Sequence, residues 1–365
     1  MSTTLGFPSS YMPSANYRTE EFFGRESDFN KVLDLALSGQ NVNLTGLRQI
    51  GRTWFLQCLA DIAPTDSRTA EKILIPEKLD AAQLRGLSSP FAVATAILHK
   101  MQVSMHRAGW IGNTLAKFGE NSWDGFFDAF EFIAPILRHH QRIMVLLLDE
   151  TEAIADIYRS VDDGESEHSS LPNKLRDILD SMPEYRLIIA THIPLKIALR
   201  DVKTDFPGSF TNVAFRGIGE KGANDLLKSR EETNGIEYTP DALDRAYTLS
   251  CGHPFFVRHL GEEILGILRE SDRNKVQRID VDNAFALVLE SCGTCLLNDY
   301  SEGTDTFHRQ MLHKLAEDDT RALEDLRELM LSAGLGASEF TCHYYDLIDM
   351  GLLVLQRKVA HIRFD

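Results

Sequence analysis

The sequence predicts an α/β fold: a parallel β-sheet with helices on both faces, followed by a helical segment and a small C-terminal unit. Three observations carry this. Two apolar runs, Ile143-Met-Val-Leu-Leu-Leu148 and Tyr185-Arg-Leu-Ile-Ile-Ala190, are nearly continuous, as expected of strands buried on both faces of a parallel sheet. A β-prone run, Val42-Asn43-Leu44, leads directly into Gly46-x-x-x-x-Gly51-Arg52-Thr53 and then a helical stretch to Ile62. Strand-sized and helix-sized segments then alternate, the pattern of a parallel sheet.

Composition sets the outer bounds. The 365 residues suggest two or three domains, and 43% hydrophobic with 25% charged residues is ordinary for a globular protein. No apolar run is long enough to span a bilayer, and the N-terminus lacks a basic region followed by an apolar core, so neither membrane insertion nor a secretory signal is expected. Five cysteines, an odd number, fit a reducing compartment, and a cytoplasmic location is expected. With 38 basic and 54 acidic residues the net charge is −16, which disfavours broad nucleic-acid binding but leaves room for a local basic patch.

Taken in order, residues 1–17 are Ser-, Thr- and Pro-rich and are expected to be flexible. Phe29, Val32, Leu33, Ala36 and Leu37 have helical spacing, with Ser27 as the expected N-cap. Next comes the Gly46–Thr53 stretch, which has the phosphate-loop pattern G-x-x-x-x-G-K-[ST] with Arg52 in place of Lys. Gly46 turns the chain sharply off a strand, and Gly51 lets backbone N–H groups close on phosphate oxygens without a Cβ in the way. The helix that follows aims its positive end at the same phosphates. Thr53 offers a hydroxyl to Mg²⁺, Arg52 reaches the β- and γ-phosphates, and Trp54 is a further nucleotide-side candidate. By itself the stretch also fits a Gly-containing strand-to-helix turn with an incidental basic residue.

A second strand is predicted at Lys72–Ile75, and helices at residues 90–105 and Phe126–Ala134, the latter kinked or ended by Pro135. The strand ending at Leu148 exits into Asp149-Glu150; the alternative is a core strand running into an acidic helix start. Residues 160–170 read as an acidic loop, and Leu171–Met182 as a helix with Pro172 in its first turn. The strand 185–190 ends in Thr191-His192, where His192 is equally well a loop residue. A last strand is predicted at Thr211–Ile218, and residues 221–290 as all-helical. There, Cys251-Gly-His-Pro254 precedes a helix whose inward stripe is predicted as Phe256, Leu260, Ile264 and Ile267. Beyond residue 304 the pattern is three helices (Thr306–Leu315, Arg321–Ser332, Ala337–Met350) and a hairpin, Gly351–Gln356 with Val359–Phe364: a winged-helix pattern.

These motifs, in this order, resemble the archaeal-type ATPases of the AAA+/STAND group of P-loop NTPases, with Phe23-Gly24-Arg25-Glu26 about twenty residues ahead of the phosphate loop as the first point of likeness. The resemblance implies a P-loop NTPase core over residues 18–218, a helical lid over 219–300 and a winged-helix domain over 301–365. It implies ATP and Mg²⁺ as ligands, with Phe23, Gly24 and Pro254 on the base side, Asp149 supporting the metal and Glu150 polarising the attacking water. Thr191 resembles the sensor that contacts the γ-phosphate, and Arg258 a second sensor. Relatives often carry an arginine finger near the start of the last strand, but Phe206-Pro-Gly-Ser-Phe210 has none; Arg200 and Arg216 are the nearest.

The implied role is an ATP-binding regulatory switch that works through nucleotide-dependent conformational change, a protein partner or effector, and homo-oligomerisation. Arg52 and the missing finger favour binding over hydrolysis, because small misplacements of charge cost orders of magnitude in rate. The alternative is a nucleotide-locked or empty scaffold for protein–protein contact or DNA tethering. The would-be reading helix, Ser338–Asp349, carries three acids and no Lys or Arg, so DNA contact is disfavoured and would fall to Arg357 and Lys358. Cys292-Gly-Thr-Cys295 lacks a second Cys pair and reads chiefly as buried thiols; Cys342 and His343 could complete a zinc site only if the fold brought them there.

Overall fold

In the computed structural model of the chain the described residues are 22–81, 91–111, 122–154, 171–200, 204–301, 304–317, 323–349, 353–356 and 359–362. The expected flexible N-terminus, the acidic loop 160–170, and the wing residues Arg357 and Lys358 lie outside them. The chain forms two compact units: Asp28–Thr45 with Arg52–Ala214, and residues 1–27 with Gly46–Gly51 and Phe215–Asp365.

The first unit is the α/β body. Helix α1 (Glu26–Leu37) precedes β1 (Asn41–Thr45), and α2 (Arg52–Ile62) follows the phosphate loop. Then come β2 (Ile73–Leu74), β3 (Leu79–Asp80), α3 (Ala92–Arg107), α4 (Trp123–His139), β4 (Ile143–Asp149), α5 (Leu171–Ser181), β5 (Tyr185–Thr191), α6 (Leu195–Ala198) and β6 (Phe210–Ala214). The sheet order is β2-β4-β5-β1-β6, with β3 pairing beside the end of β4. Every ladder in it is parallel. Met144–Leu148 and Leu187–Ala190 are buried, which is why those strands carry no alternation. Burying each such aliphatic side chain contributes about 1.5–3 kcal/mol. On one face Phe126, Phe130 and Tyr185 pack edge to face, and the Tyr185 hydroxyl donates to the Phe130 carbonyl at 2.8 Å, which satisfies a buried polar atom.

Several boundaries differ from expectation. Helix α1 starts at Glu26, so Ser27 lies inside it and does not cap it. Helix α4 runs through Pro135 to His139, started by Ser122, whose side chain accepts the Gly125 N–H at 3.1 Å. Pro135 and Glu131 both lie on the exposed side, so the carbonyl orphaned by the proline faces water while Phe130, Ile133 and Leu137 keep the apolar face continuous. Strand β6 stops at Ala214, four residues early, because the Ile218 N–H bonds to the Gly252 carbonyl (2.9 Å) rather than to a strand.

The second unit holds α7 (Glu220–Lys228), α8 (Glu231–Asn234), β7 (Glu237–Tyr238), α9 (Pro240–Ser250), α10 (Pro254–Ser271), β8 (Lys275–Val276) and α11 (Arg278–Ser301). The 221–290 region is thus not all helix: β7 and β8 form a parallel pair of two residues each, too short to show a period. The buried face of α10 is Val257, Leu260, Gly261, Ile264, Leu265 and Leu268, so the predicted stripe is rotated and Phe256 and Ile267 are only partly buried. The chain ends with α12 (Thr306–Glu317), α13 (Leu323–Ser332), α14 (Ala337–Asp349) and an antiparallel hairpin, β9 (Leu353–Gln356) with β10 (Val359–Ile362).

Candidate nucleotide-binding site

In the α/β body, three strands end side by side at the carboxyl edge of the sheet, where ligands bind in open parallel sheets. β1 ends at Thr45, which pairs with Thr191 at the end of β5; β4 ends at Asp149. Helix α2 begins with Arg52, whose guanidinium is buried and donates from Nη1 to the Thr191 carbonyl. Thr53 on the same turn is exposed and Trp54 half-buried.

The Asp149 carboxylate is engaged through both oxygens. Oδ1 accepts the Glu150 N–H at 3.1 Å, and Oδ2 pairs with Lys78 Nζ at 2.9 Å. Lys78 gave no signal in the sequence: it lies 71 residues from its partner, in the loop before β3. Glu150 has a left-handed backbone (φ 47°), uncommon for a non-glycine residue, and its side chain is half-buried.

His192 lies in the bend just after β5. It is buried, and its Nδ1 lies in hydrogen-bond contact with Glu152 Oε1, while Glu152 Oε2 has no hydrogen-bond partner among the described residues. Burial pushes the Glu152 carboxyl up, but the His192 contact and the nearby charges of His192 and Arg52 outweigh it and hold the group below its ordinary range. Glu152 and His192, near Arg52, thus form a buried polar cluster that sequence reasoning missed. Beside it, the Thr191 hydroxyl donates to Asn43 Oδ1 (3.1 Å) and Asn43 Nδ2 donates to Asn212 Oδ1 (3.0 Å), a polar ladder across β5, β1 and β6.

The phosphate loop itself, Gly46–Gly51, groups with Phe23–Arg25 and the helices of the second unit. A Cβ on Gly46 would sit 2.4 Å from the Phe215 carbonyl, so only glycine permits this approach. Gly51 has φ 97°, with no atom within 4 Å of where a Cβ would be. The loop is fastened by Arg25: its Nη2 donates to the Ile50 carbonyl at 2.8 Å, and its guanidinium lies over the Phe215 ring at 3.9 Å. Gly24 (φ 66°) faces Gly222 across a gap that would leave an added Cβ 3.0 Å from its Cα, and Phe23 packs on the helical cluster.

Pro254 opens α10, and the preceding His253 is fully buried with neither ring nitrogen at hydrogen-bonding geometry. Burial first, then the positive charge of Arg25, push its pKa down to about 3; the Arg48 backbone opposes. The ring is therefore neutral, and it meets the Phe256 ring at 5.4 Å. Arg258 is half-buried one turn on. Among the other candidates Arg200 is exposed and Arg216 half-buried. Cys292, expected to be a buried thiol, is only half-buried, 3.8 Å from His259 Nδ1, and Cys342 is exposed. The Cys295 side chain lies outside the described residues.

The chain matches a Walker-type ATPase of Pyrococcus abyssi over 96% of both chains, at 14% identity and a TM-score of 0.63. It matches the ORC2 protein of Aeropyrum pernix, in its ADPNP–ADP complexes, over 96% of this chain and 92% of that one, at 11% identity and a TM-score of 0.53. No family model and no curated protein matches the sequence. At these identities the likeness defines the fold: a P-loop ATPase α/β core followed by helical segments.

Proposed function

We propose that the protein is an ATP-binding regulatory switch of the AAA+/STAND type, with hydrolysis slow or impaired. The observation that carries this reading is the placement of Thr45, Asp149 and Thr191 at the ends of adjacent parallel strands. Gly46, Gly51, Arg52 and Thr53 would hold the phosphates, Trp54 would flank them, and Phe23, Gly24 and Pro254 would line the base side. Thr53 and Asp149 offer a hydroxyl and a carboxylate, the hard oxygen donors that suit Mg²⁺. The metal would neutralise charge on the phosphates. Glu150 is the proposed base, Thr191 the sensor, and Glu152 an additional acid near Arg52.

The three C-terminal helices and hairpin support a winged helix that changes position with nucleotide state and acts through a protein partner or homo-oligomer. Glu339, Asp346 and Asp349 on α14 weigh against DNA as the partner. Among the described residues no helix is long and apolar enough to cross a membrane.

Thermal shift with Mg-ATP tests the binding: no stabilisation by ATP, ADP or GTP overturns the nucleotide reading. Single-turnover hydrolysis then compares wild type with Glu150→Gln and Glu152→Gln. Loss of turnover only in Glu150→Gln supports the assignment; loss only in Glu152→Gln moves the base to the buried cluster.

A further inference from the structure

The last helices hold a cluster that the nucleotide reading does not use. Asp305 sits just ahead of α12, His308 lies in its first turn, and His343 and Asp346 lie one turn apart on α14. One ligand atom from each of Asp305, His308 and His343 falls within 4.8 Å of the other two.

Each group is already oriented by a second contact. Asp305 Oδ1 is the helix cap, accepting the backbone N–H groups of Phe307 (2.9 Å) and His308 (3.0 Å). This leaves Oδ2 for a further partner. His343 Nδ1 donates to the Glu339 carbonyl at 2.7 Å, so in the neutral ring Nε2 carries the lone pair, and it points at Asp305 Oδ2, 2.7 Å away. A histidine whose other nitrogen is tied to a main-chain carbonyl is the usual setting of a metal-bound imidazole. His308 is 4% exposed; its Nδ1 lies 3.1 Å from the Asp305 N–H and 3.0 Å from Asp305 Oδ1, and in the tautomer whose Nδ1–H donates to Oδ1 the lone pair sits on Nε2. Its Nε2 is buried with no hydrogen-bond partner among the described residues, and Asp346 Oδ2 lies 3.8 Å from it, beyond hydrogen-bond range. A buried polar atom without a partner costs about 1–3 kcal/mol.

We propose that Asp305, His308 and His343, with Asp346, form a binding site for a divalent transition-metal ion that ties α14 to the start of α12. Two imidazoles and carboxylate oxygens are a donor set for zinc, with manganese, iron or cobalt as poorer fits on affinity or geometry. Ligands at about 2.0–2.1 Å from a tetrahedral ion lie about 3.3 Å apart, so closure needs shifts of well under an ångström at the 2.7 and 3.8 Å pairs. The ion would satisfy His308 Nε2 and take the place of a proton between His343 and Asp305. The site is independent of the phosphate loop.

The test uses the full chain, stripped with a chelator and free of nucleotide, titrated with ZnCl₂ by calorimetry and with CoCl₂ by visible absorption. Wild type is expected to take one equivalent, with the visible d–d bands of tetrahedral cobalt and no strong thiolate band in the near ultraviolet. Asp305→Asn keeps a capping side chain, and His343→Gln keeps a comparable volume near the surface. Each is expected to weaken zinc at least tenfold with an unchanged circular-dichroism spectrum and to abolish the zinc-induced rise in melting temperature. The proposal is overturned by no stoichiometric zinc in wild type, by unchanged affinity in both variants, or by a thiolate band that disappears in Cys292→Ser.

Discussion

Arg52, which stands at the lysine position of the phosphate-loop pattern, donates a hydrogen bond to the main-chain carbonyl of Thr191, at the end of the neighbouring strand. The planar fork of arginine and its extra length make this reach possible; lysine is a compact charge on a flexible stem. The cation is therefore held by the carboxyl end of the sheet.

Arg52→Lys releases that tie. Folding stability is expected to fall by about 1–2 kcal/mol, the worth of a charged hydrogen bond to a buried carbonyl. Single-turnover ATP hydrolysis is expected to rise about tenfold, about 1.4 kcal/mol of barrier, as the cation becomes free to follow the transferring phosphate. Urea titration and rapid-quench kinetics check the two effects. A variant that is destabilised but no faster would show that Arg52 is a structural cation.

Lys78 holds an oxygen of Asp149 that a hydrated Mg²⁺ would also use. Lys78→Met leaves that carboxylate without its cation partner, and about 3 kcal/mol of stability is expected to be lost without nucleotide. Mg-ATP is expected to restore part of it, with half-saturation at several-fold lower Mg²⁺ than in wild type. Melting curves across a magnesium series read both.

Arg25 links the N-terminal segment to the phosphate loop through Ile50 and stacks on Phe215. Arg25→Ala is expected to cost about 2 kcal/mol or more, from a charged hydrogen bond and a cation–π contact. Arg25→Lys, which keeps the charge but not the flat stack, is expected to lie between. Because the loop carries the proposed phosphate contacts, ATP affinity should fall in the same order in a fluorescent-nucleotide titration.

His253 is neutral in the folded protein, with its pKa pushed to about 3, and ordinary when unfolded, near 6.5. The unfolded chain therefore binds the extra proton between those values. The stability tied to this group is complete above about pH 6.5 and is lost as pH falls from there toward 3. At pH 5 the loss is about 2 kcal/mol. His253→Phe removes the titrating ring without stranding a polar partner, so its urea midpoint should fall less between pH 7.5 and pH 5 than that of wild type. Equal slopes would show that other groups govern the acid limb.

The parts of the site that were legible in the sequence are those written in one place. Gly46 to Thr53 announces a loop because its glycine spacing is local, and Asp149 stands out because it ends a run of apolar residues. The partners of these residues were not legible, because the fold brings them from afar. Lys78 is 71 positions from Asp149, Glu152 is 40 from His192, and Arg25 is 25 from Ile50. His192 was ambiguous because a histidine after a strand has no periodicity of its own; only burial beside Glu152 gives it a role. The same holds for β7 and β8, whose two-residue pairing no pattern of apolar residues could reveal. Helix α4 continues past Pro135, expected to kink or end it, because the missing N–H falls on the wet side, where it costs least.

The ladder from Thr191 through Asn43 to Asn212 carries a consequence for variation among related sequences. Thr191 and Asn43 are buried, and each hydrogen bond in the ladder needs a donor on one strand and an acceptor on the next. An apolar replacement at one position would orphan its neighbour, whereas joint replacement of all three by residues of similar shape would leave nothing unpaired. Thr191 and Asn43 should therefore change together or not at all, and with Asn212 they link the proposed sensor residue to the outermost strand, β6.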